Sequence, residues 1–550
     1  MHDRPLIVQS DRTMLLDVHS PAADECRDAI VSFSELVKSP EHLHTFAISN
    51  ITIWNACSAG VSLDFIMESL DRYSRFEIPE VVKYYIEDNY SRFGAICFEE
   101  YDDDRFLLTC SKDIYRTQLL SIKSLLPYLE DRLDDDFIIP MAKRGELKLK
   151  LIYSNFPVND LIPLKKGLPL DISLREETLS GKKFVMRNYQ KDSLKAFYAD
   201  GARGAGYGTI VLPCGSGKTI VGLAAMATLR TSTLILAPNV ASVHQWIREI
   251  LDKTTIREED VGEYGSTVKE IKPVTVCTYS MLINHSNAEQ EMKNFRKIAS
   301  HSWGLVIYDE VHVLPAPVFQ LSAALQAVYR LGLTATLVRE DGKERDVFSL
   351  VGPKRYDVPW SELEKKGFIA TAYCHELRVP LPHDMELEYA AAPGSEKIKI
   401  AAKNPAKIDV VRRLLEEHEG RQILIIGQYL DQLREIQKTF SFPMITGAMN
   451  NLRRDELYQE FRDGKIQVLI VSKVANYAID LPDASVAIQV SGTFGSRQEE
   501  AQRLGRILRP KDIDSHFYTL VTKYSKEEDF SLNRQKFLCE QGYSYIVENA

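Results

Sequence analysis

From residue 186 onward, short apolar runs alternate with amphipathic helical patterns. The runs include GTIVLP, STLILAP and GLVIYDE in one block, and RQILIIG, IQVLIVS and VAIQVSG in a second block after residue 400. Runs of this length that alternate with helices are typical of buried strands in parallel sheets. The pattern therefore predicts an α/β fold with two tandem parallel-sheet domains, which meet near residues 373–407.

The part of the chain before this alternation has a different character. Residues 1–90 contain polar-amphipathic helical segments, and residues 91–161 mix helical pieces with strand-like ones such as AICFEEY, RFLLTCS and LKLKLIY. The segment 157–184 holds three prolines and a charge run without a sustained period. These features predict a helical N-terminal domain, a small mixed α/β domain and a linker over residues 162–185.

Composition narrows the class of protein. An apolar content of 45% and a charged content of 26% are ordinary for globular domains. The eight cysteines are scattered without a CxxC pair, which argues against structural zinc and iron–sulfur clusters. With no secretory signal at the start and no apolar run near the ~20 residues of a membrane span, the sequence predicts a cytoplasmic protein without membrane contact.

The charge balance limits how nucleic acid could be bound. A net charge of −9 and a pI near 5.8 differ from the strongly basic domains that usually cover nucleic acid. Acidic patches at residues 99–106 and 129–137 are expected to be solvated surface. Any contact with nucleic acid should therefore be local.

The stretch GTIVLPCGSGKTIVGL reads as a strand, a glycine-rich turn and a helix. Gly215 and Gly217 allow backbone N–H groups to face a phosphate, Lys218 supplies a positive charge, and Thr219 supplies a hydroxyl for Mg²⁺. The general pattern GxxxxGK[ST] has a glycine where this chain has Leu212. The predicted phosphate-binding residues are Leu212, Pro213, Cys214, Gly215, Ser216, Gly217, Lys218 and Thr219.

A second apolar run ends in the carboxylates of Asp309 and Glu310, with His312 two positions later. Taken alone, this segment fits a general acid/base dyad, a transition-metal site, or a Mg²⁺ ligand beside a water-activating glutamate. The phosphate loop in the same block favours the third interpretation, in which Asp309 serves Mg²⁺ and Glu310 activates water. No other His or Cys clusters nearby with the spacing of helical zinc sites.

Together these motifs resemble a superfamily 2 helicase of the XPB type. LPCGSGKT, DEVH, LGLTATLVRED, SKVANYAIDLP and GSRQEEAQRLGRILRPK occur in the family's order, and with MRNYQ they span residues 186–511. The resemblance implies two RecA-like domains at 186–375 and 407–550, joined by a crossover at 376–406. Some relatives carry a long basic thumb near this crossover, which is short or absent here.

The resemblance also implies roles for further residues. Arg506 and Arg509 are three residues apart, hence on one helix face, and by resemblance they are arginine fingers with Gln502 beside them. Arg187 and Gln190 would lie near the adenine of ATP, and His312, Thr334 and Thr336 would couple hydrolysis to domain motion. The candidate DNA contacts are Asn239, Thr278, Arg339, Glu340, Asp341, Ser472 and Lys473.

The activity implied is an ATP- and Mg²⁺-dependent DNA helicase of 3′→5′ polarity in DNA repair, associated with the nucleoid when engaged on DNA. The short thumb region leaves open a duplex translocase that does not separate strands. An RNA helicase is a further alternative, which DEVH in place of DEAD and the Arg339-Glu340-Asp341 motif disfavour. Residues 1–160 could instead serve mainly to dock a partner such as a nuclease.

Overall fold

The computed structural model describes most of the chain. The described residues are 4–38, 42–102, 104–162, 167–201, 205–213, 215–266, 268–282, 294–295, 297–313, 325, 327–335, 351–358, 363–364, 366–368, 372–472, 484–492, 514–531 and 545–550. The chain divides into two units. The first comprises Met1–Val211 and Lys218–Asp357, and the second comprises Leu212–Gly217 and Val358–Ala550.

The first 92 residues combine a small antiparallel sheet with helices. The strands pair in the order β1-β2-β4-β3 and share one apolar core with the helices. The strands are β1 (Leu6–Val8), β2 (Thr13–Asp17), β3 (Glu35–Lys38) and β4 (Leu43–Ala47); the helices are α1 (Ala23–Ile30), α2 (Asn50–Ser58), α3 (Leu63–Tyr73) and α4 (Glu80–Arg92). The prediction of a helical domain over residues 1–90 found the helices but missed this sheet. Strands of three to five residues are too short to show a clear alternation.

A five-stranded sheet follows, in the order β7-β8-β6-β5-β9. Its strands are β5 (Ile96–Glu100), β6 (Arg105–Cys110), β7 (Arg132–Leu133), β8 (Asp136–Pro140) and β9 (Val158–Asp160); its helices are α5 (Asp113–Ser121) and α6 (Arg144–Tyr153), with 3-10 turns at Leu126–Tyr128 and Met141–Lys143. The strand predicted at LKLKLIY is wrong, because these residues belong to α6. Leu147 and Leu151 lie four apart and are both buried, so the helical stripe outweighs the local alternation.

The segment predicted as a linker lies along the first unit. Leu170 N–H donates to the Arg230 carbonyl, and Arg175 Nε donates to the Thr254 carbonyl at 2.7 Å. Ile172 is fully buried. The apolar residues of this segment stand singly between prolines and charged residues, so the sequence has no periodicity that would predict this packing.

A seven-stranded parallel sheet forms the rest of the first unit, in the order β12-β13-β11-β14-β15-β10-β16. The strands are β10 (Tyr207–Val211), β11 (Thr233–Ala237), β12 (Val261–Tyr264), β13 (Val274–Thr278), β14 (Leu305–Asp309), β15 (Tyr329–Thr334) and β16 (Lys354–Asp357). The helices are α7 (Asn188–Tyr198), α8 (Lys218–Leu229), α9 (Val240–Lys253) and α10 (Tyr279–Leu282), with 3-10 turns at Ala199–Gly201, Glu258–Asp260 and Val311–Val313. The predicted parallel sheet is confirmed.

The second unit contains another seven-stranded parallel sheet, in the order β19-β20-β18-β21-β22-β17-β23. Its strands are β17 (Ala372–Val379), β18 (Ile423–Gly427), β19 (Met444–Ile445), β20 (Val468–Ser472), β21 (Val486–Gln489), β22 (Ser515–Thr522) and β23 (Tyr545–Asn549). The helices are α11 (His383–Ala391), α12 (Gly394–Ala402), α13 (Ala406–Glu417), α14 (Leu430–Phe440) and α15 (Asn451–Arg462). β17 crosses the boundary predicted at residue 375, and α11 and α12 occupy the predicted crossover.

Three histidines gather on one face of this second sheet. His375 stacks on Tyr518 with ring centroids 4.9 Å apart, and His418 lies 4.9 Å from His516. The His418 Nε2 atom is 2.8 Å from the Tyr518 hydroxyl. Burial lowers the pKa of His516 to about 4, and the positive charges of His418, Arg421 and His375 act in the same direction. Burial also lowers the pKa of His418.

The histidine face predicts a pH dependence of stability. Because the folded pKa of His516 lies below its unfolded value of about 6.5, the stability from the neutral ring is present above pH 6.5 and is lost as the pH falls toward 4. His516→Phe keeps an aromatic ring that cannot take up a proton. Between pH 7.5 and pH 5 we expect this variant to lose less free energy of unfolding than the wild type, by about 1 kcal/mol after allowance for partial exposure. Its melting temperature should therefore fall less over the same range. The exposed His383→Gln should behave like the wild type. An unchanged slope in His516→Phe would contradict the assignment.

Candidate active site

Three neighbouring strands carry the predicted catalytic residues at their carboxyl ends. β15 lies between β10 and β14, and the register pairs Val211 with Thr334 and Asp309 with Leu333. In open parallel sheets, ligands bind outside this edge, where the strands give way to loops. The buried apolar strands therefore fix the positions of the phosphate loop, of Thr334 and of Asp309.

The phosphate loop connects β10 to α8 and has the backbone that its glycines allow. Gly215 and Gly217 have φ of +77° and +82°, in the left-handed region that favours glycine. Within the loop, the Ser216 hydroxyl donates to the Pro213 carbonyl at 2.6 Å and fixes the turn. Leu212, at the position of the missing glycine, is fully buried as the continuation of β10. Cys214 lies outside the described residues.

Lys218 and Glu310 form a close ion pair. The Lys218 Nζ atom lies 2.6 Å from Glu310 Oε1, and the side chains are 11% and 20% exposed. Lys218 opens α8 and Glu310 follows β14, so residues 92 positions apart meet at one edge of the sheet. This pair brings the predicted phosphate-binding cation to the predicted water-activating carboxylate. Thr219, also at the start of α8, is partly buried.

Asp309 is held from two sides. Its Oδ2 atom accepts a hydrogen bond from Trp246 Nε1 at 3.0 Å, and its carbonyl accepts one from the Tyr279 hydroxyl at 2.7 Å. Burial raises the pKa of Asp309 to about 6, and the neighbouring charge of Glu310 adds to the rise. The Trp246 hydrogen bond and Lys218 oppose it. The indole thus favours the ionised form, which a cation site needs.

The contact from Trp246 depends on a glycine in α8. A Cβ atom at Gly222 would lie 2.5 Å from Cη2 of Trp246. The absence of a side chain at Gly222 therefore leaves room for the indole of Trp246 beside α8. Sequence reasoning singled out neither Trp246, Tyr279 nor Gly222, since contacts of this kind between distant positions leave no local signal.

Glu310 has an uncommon backbone conformation, and only one of its two carboxylate oxygens is hydrogen-bonded among the described residues. Its φ of +49° is uncommon for a residue other than glycine, and such conformations cluster at functional sites. Burial raises the pKa of Glu310, but the charges of Lys218 and His312 outweigh burial and lower it overall. Its Oε2 atom is buried and accepts no hydrogen bond from any described residue. This oxygen is the one that could take a proton from water.

His312 connects two of the predicted coupling positions. Its Nδ1 atom lies 2.5 Å from the Thr334 hydroxyl and 3.4 Å from Glu310 Oε2. His312 is 5% exposed and Thr334 is fully buried. The structure thus brings His312, Thr334 and Glu310 into one chain of contacts. Thr336 lies outside the part of the chain that the structure describes.

Arg187 and Gln190, the two residues expected near the adenine, form hydrogen bonds at the start of α7. The Gln190 side-chain oxygen accepts from the Arg187 backbone N–H at 2.9 Å, and Arg187 Nη1 donates to the Tyr189 hydroxyl at 3.2 Å. Gln190 is 2% exposed. A capping role is therefore visible for Gln190, and recognition of adenine stays a prediction.

Three candidate DNA contacts lie at the ends of elements, and two of them make local hydrogen bonds there. Asn239 caps α9 by accepting from the Ser242 N–H at 2.9 Å. Thr278, at the end of β13, lies 2.9 Å from the Ser280 hydroxyl and is 6% exposed. Ser472, at the end of β20, is 4% exposed. Their contact with DNA stays a prediction.

Several predicted residues fall outside the described part of the chain: Gln502, Arg506, Arg509, Arg339, Glu340, Asp341 and Lys473. Across the described ranges, no group of three or more His, Cys, Asp or Glu side chains could hold a metal ion. No helix in those ranges is both long and apolar enough to cross a membrane.

Family models match three parts of the chain. A model described as ERCC3/RAD25/XPB C-terminal helicase matches residues 363–550. A model of the res subunit of type III restriction enzymes matches residues 183–339, and one described as a helicase conserved C-terminal domain matches residues 6–134.

Whole-chain relatives give the same assignment. The protein named DNA 3'-5' helicase XPB of Mycobacterium tuberculosis is 43% identical over 100% of this chain and 98% of its own length. That of Kineococcus radiotolerans is 43% identical over 100% of this chain and 97% of its own length. A DNA-bound type ISP restriction-modification enzyme, LlaBIII, has a TM-score of 0.51 at 14% identity, over 67% of this chain and 31% of that chain. This last likeness concerns the fold alone. The chain belongs to the XPB family of helicases.

Proposed function

We propose that this protein is an ATP-dependent DNA helicase that moves 3′→5′ and acts in DNA repair. The observation that carries the proposal is the Lys218–Glu310 pair beside Asp309, at the end of a parallel sheet in a chain of the XPB family. Lysine, aspartate and glutamate at these strand ends are what phosphoryl transfer to water requires. The names of the relatives supply the DNA substrate and the polarity.

The donor set fits a magnesium-bound nucleotide. Gly215 and Gly217 give the loop the curled backbone of a phosphate cradle, and the start of α8 adds the partial positive charge of a helix N-terminus. Asp309 and the Thr219 hydroxyl are the proposed oxygen ligands for Mg²⁺. Bound there, Mg²⁺ would neutralise phosphate charge.

Glu310 is the proposed base that activates water. Its lowered pKa keeps the carboxylate ionised, and Oε2 has no competing hydrogen bond among the described residues. Oε1 is paired with Lys218, so phosphate oxygens that attract Lys218 would release this oxygen as well. The ion pair therefore acts as a restraint that nucleotide binding removes. Arg506 and Arg509 stay predicted arginine fingers, with Gln502 beside them.

His312 and Thr334 are the proposed link from hydrolysis to motion. Because His312 contacts both Glu310 and Thr334, a change in the charge or position of Glu310 acts directly on the end of β15. Thr336 would extend this path into the following segment.

A duplex translocase without strand separation is the second candidate. The observation that favours it lies between β17 and α13, where α11 and α12 have only nine residues each. The first of them, HDMELEYAA, carries acidic rather than basic side chains. α12 adds Lys397 and Lys399 beside Glu396, so the two helices together still carry more acidic than basic side chains. Such a surface is poorly suited to hold a duplex apart.

Residues 1–161 are proposed to be part of the motor unit rather than a separable docking module. Lys354, on β16, donates to the Val37 carbonyl at 3.0 Å, and Arg355 donates to the carbonyls of Tyr207 and Val31. Arg355 is 3% exposed. Removal of the N-terminal region would take away the Val37 and Val31 acceptors, whereas Lys354 would keep Asp357 and Arg355 would keep Tyr207. A nuclease partner and a location at the nucleoid remain further proposals.

The experiment that tests the proposal measures ATP hydrolysis with Mg²⁺ alone and with single-stranded DNA, forked DNA, blunt duplex DNA and RNA. Stimulation by DNA is the expected result. Hydrolysis on blunt duplex without unwinding of any fork would replace helicase by translocase. Stimulation by RNA far above that by DNA would contradict the DNA assignment.

Trp246→Phe tests the role of the indole. Because its hydrogen bond helps to lower the pKa of Asp309, its loss should raise that pKa further and increase the protonated fraction near neutral pH. We expect ATP hydrolysis to fall about threefold at pH 6.5 and much less at pH 8. Trp303→Phe is the matched control, because Trp303 is equally buried but donates to the Ile298 carbonyl. A Trp246→Phe profile parallel to that of the wild type would contradict the role.

A further inference from the structure

Tyr279 stands at the start of α10, directly after β13 ends at Thr278. β11 lies between β13 and β14, so the Tyr279 side chain spans the end of β11 to reach the end of β14. There its hydroxyl donates to the carbonyl oxygen of Asp309 at 2.7 Å. The ring is 3% exposed and belongs to the apolar core around the sheet. Tyr279 therefore ties the end of β13 to the strand that carries the proposed catalytic carboxylates.

The hydroxyl of Tyr279 keeps its proton. Burial raises the pKa of Tyr279 well above its usual range, and the charge of Asp309 adds to the rise. A carbonyl oxygen can only accept, so a phenol that stays protonated is a suitable partner for it. The hydrogen bond is therefore independent of pH over the range near 6 in which Asp309 itself titrates.

The carbonyl that Tyr279 contacts belongs to the peptide between Asp309 and Glu310. Because this peptide is planar, the direction of its carbonyl also fixes the direction of the Glu310 N–H. That N–H interacts with the carboxylate of Asp309. The rotation of the same peptide sets the φ of Glu310, which is +49°. One hydroxyl thus holds the peptide that determines the backbone conformation of the proposed base.

The conformation of Glu310 requires a restraint of this kind. A left-handed backbone is unfavourable for a residue with a Cβ atom, and it persists only where the surrounding contacts over-determine it. In this conformation Oε1 of Glu310 lies 2.6 Å from Lys218 Nζ, and Oε2 lies 3.4 Å from Nδ1 of His312. A rotated peptide would direct the side chain elsewhere and separate it from both partners.

We propose that Tyr279 is a positioning residue for ATP hydrolysis. Its hydroxyl holds the Asp309–Glu310 peptide in the orientation that directs the Glu310 carboxylate toward Lys218 and His312. The proposal rests on the proposed function, in which Glu310 activates water. Tyr279 acts through a backbone carbonyl, whereas Trp246 acts on the Asp309 carboxylate, so the two side chains have different and separable effects.

Tyr279→Phe removes one hydroxyl and keeps the ring in the core. We expect the turnover number for ATP to fall about 10- to 100-fold, because a displacement of the base by about 1 Å is enough for such a loss. The affinity for a fluorescent ATP analogue should stay within about twofold of the wild-type value. The loss of turnover should be the same at pH 6.5 and pH 8, because the hydroxyl contacts a carbonyl, whereas the loss in Trp246→Phe should be larger at pH 6.5.

Tyr264→Phe is the matched control. Tyr264 lies in the same apolar core, is 1% exposed, and donates its hydroxyl to the Asn294 side chain at 3.0 Å. This variant should lower the melting temperature about as much as Tyr279→Phe does and keep the wild-type turnover. An equal loss of turnover in the two variants would show a general structural effect and would overturn the proposal.

A residue that acts through Glu310 should have no effect once the base is removed. In the Glu310→Gln background, Tyr279→Phe should therefore leave the residual rate of single-turnover hydrolysis unchanged. A further loss as large as that in the wild-type background would overturn the proposal.

The crystal structure of Tyr279→Phe supplies a readout that does not depend on hydrolysis. We expect φ of Glu310 to leave the left-handed region and the distance from Lys218 Nζ to Glu310 Oε1 to increase, whereas in Tyr264→Phe φ should stay near +49°. A φ near +49° in Tyr279→Phe would overturn the proposal even where the wild type hydrolyses ATP. A rotated peptide in a protein whose wild type hydrolyses no ATP would contradict the proposed function alone.

Discussion

Glu310→Gln is expected to bind ATP and to hydrolyse it about 10²- to 10⁴-fold more slowly than the wild type. The amide keeps the size of the side chain and can still accept from Lys218, but it cannot take a proton from water. The buried Oε2 atom, which accepts no hydrogen bond in the described part of the chain, is the atom lost to catalysis. The measurement is steady-state hydrolysis with DNA present, together with the affinity for a fluorescent ATP analogue.

Glu249→Gln is the matched control for this variant. Glu249 also pairs with a lysine, Lys253, at 2.9 Å in the same unit, but it lies on α9 away from the strand ends. Its hydrolysis rate should equal that of the wild type. Turnover of Glu310→Gln within a few-fold of normal would remove Glu310 from the role of base.

Lys218→Ala is expected to lose nucleotide binding as well as hydrolysis. The ammonium is the positive charge offered to the phosphates, and a charge-assisted contact of this kind is worth about 1.5–3 kcal/mol, or roughly 10- to 150-fold in affinity. The pKa of Glu310 should also rise, because the charge of Lys218 is the largest influence that lowers it. The affinity for the same fluorescent analogue is the measurement.

Lys253→Ala is the control for Lys218→Ala, since Lys253 is paired with Glu249 and Asp252 in the same unit. Glu310→Gln and Lys218→Ala together distinguish nucleotide binding from the chemical step. The first variant should still bind the nucleotide, and the second should not. Normal ATP affinity in Lys218→Ala would contradict the assignment of the phosphate loop.

Those parts of the fold that repeat a strong local pattern could be predicted from the sequence. The two parallel sheets follow from apolar runs such as LVIYD and ILIIG, and the structure confirms them. The meeting of Lys218 and Glu310 follows from the same logic, since carboxyl ends of parallel strands share one edge. The XPB family, predicted from the order of motifs, is confirmed by the relatives.

Other parts depended on contacts between distant positions. The small N-terminal sheet has strands of only three to five residues. The sequence LKLKLIY alternates like a strand but belongs to α6, where Leu147 and Leu151 are buried on one face of the helix. Trp246 reaches Asp309 across 63 residues because Gly222 leaves room, and no local pattern announces either contact.

The most direct test of the helicase assignment is strand separation on partial duplexes that carry a single-stranded 3′ or 5′ tail, with ATP and Mg²⁺. The proposal predicts that the wild type separates the duplex with the 3′ tail and leaves the duplex with the 5′ tail intact. The Glu310→Gln variant should separate neither duplex. Separation from the 5′ tail alone, or equal separation by the Glu310→Gln variant, would contradict it.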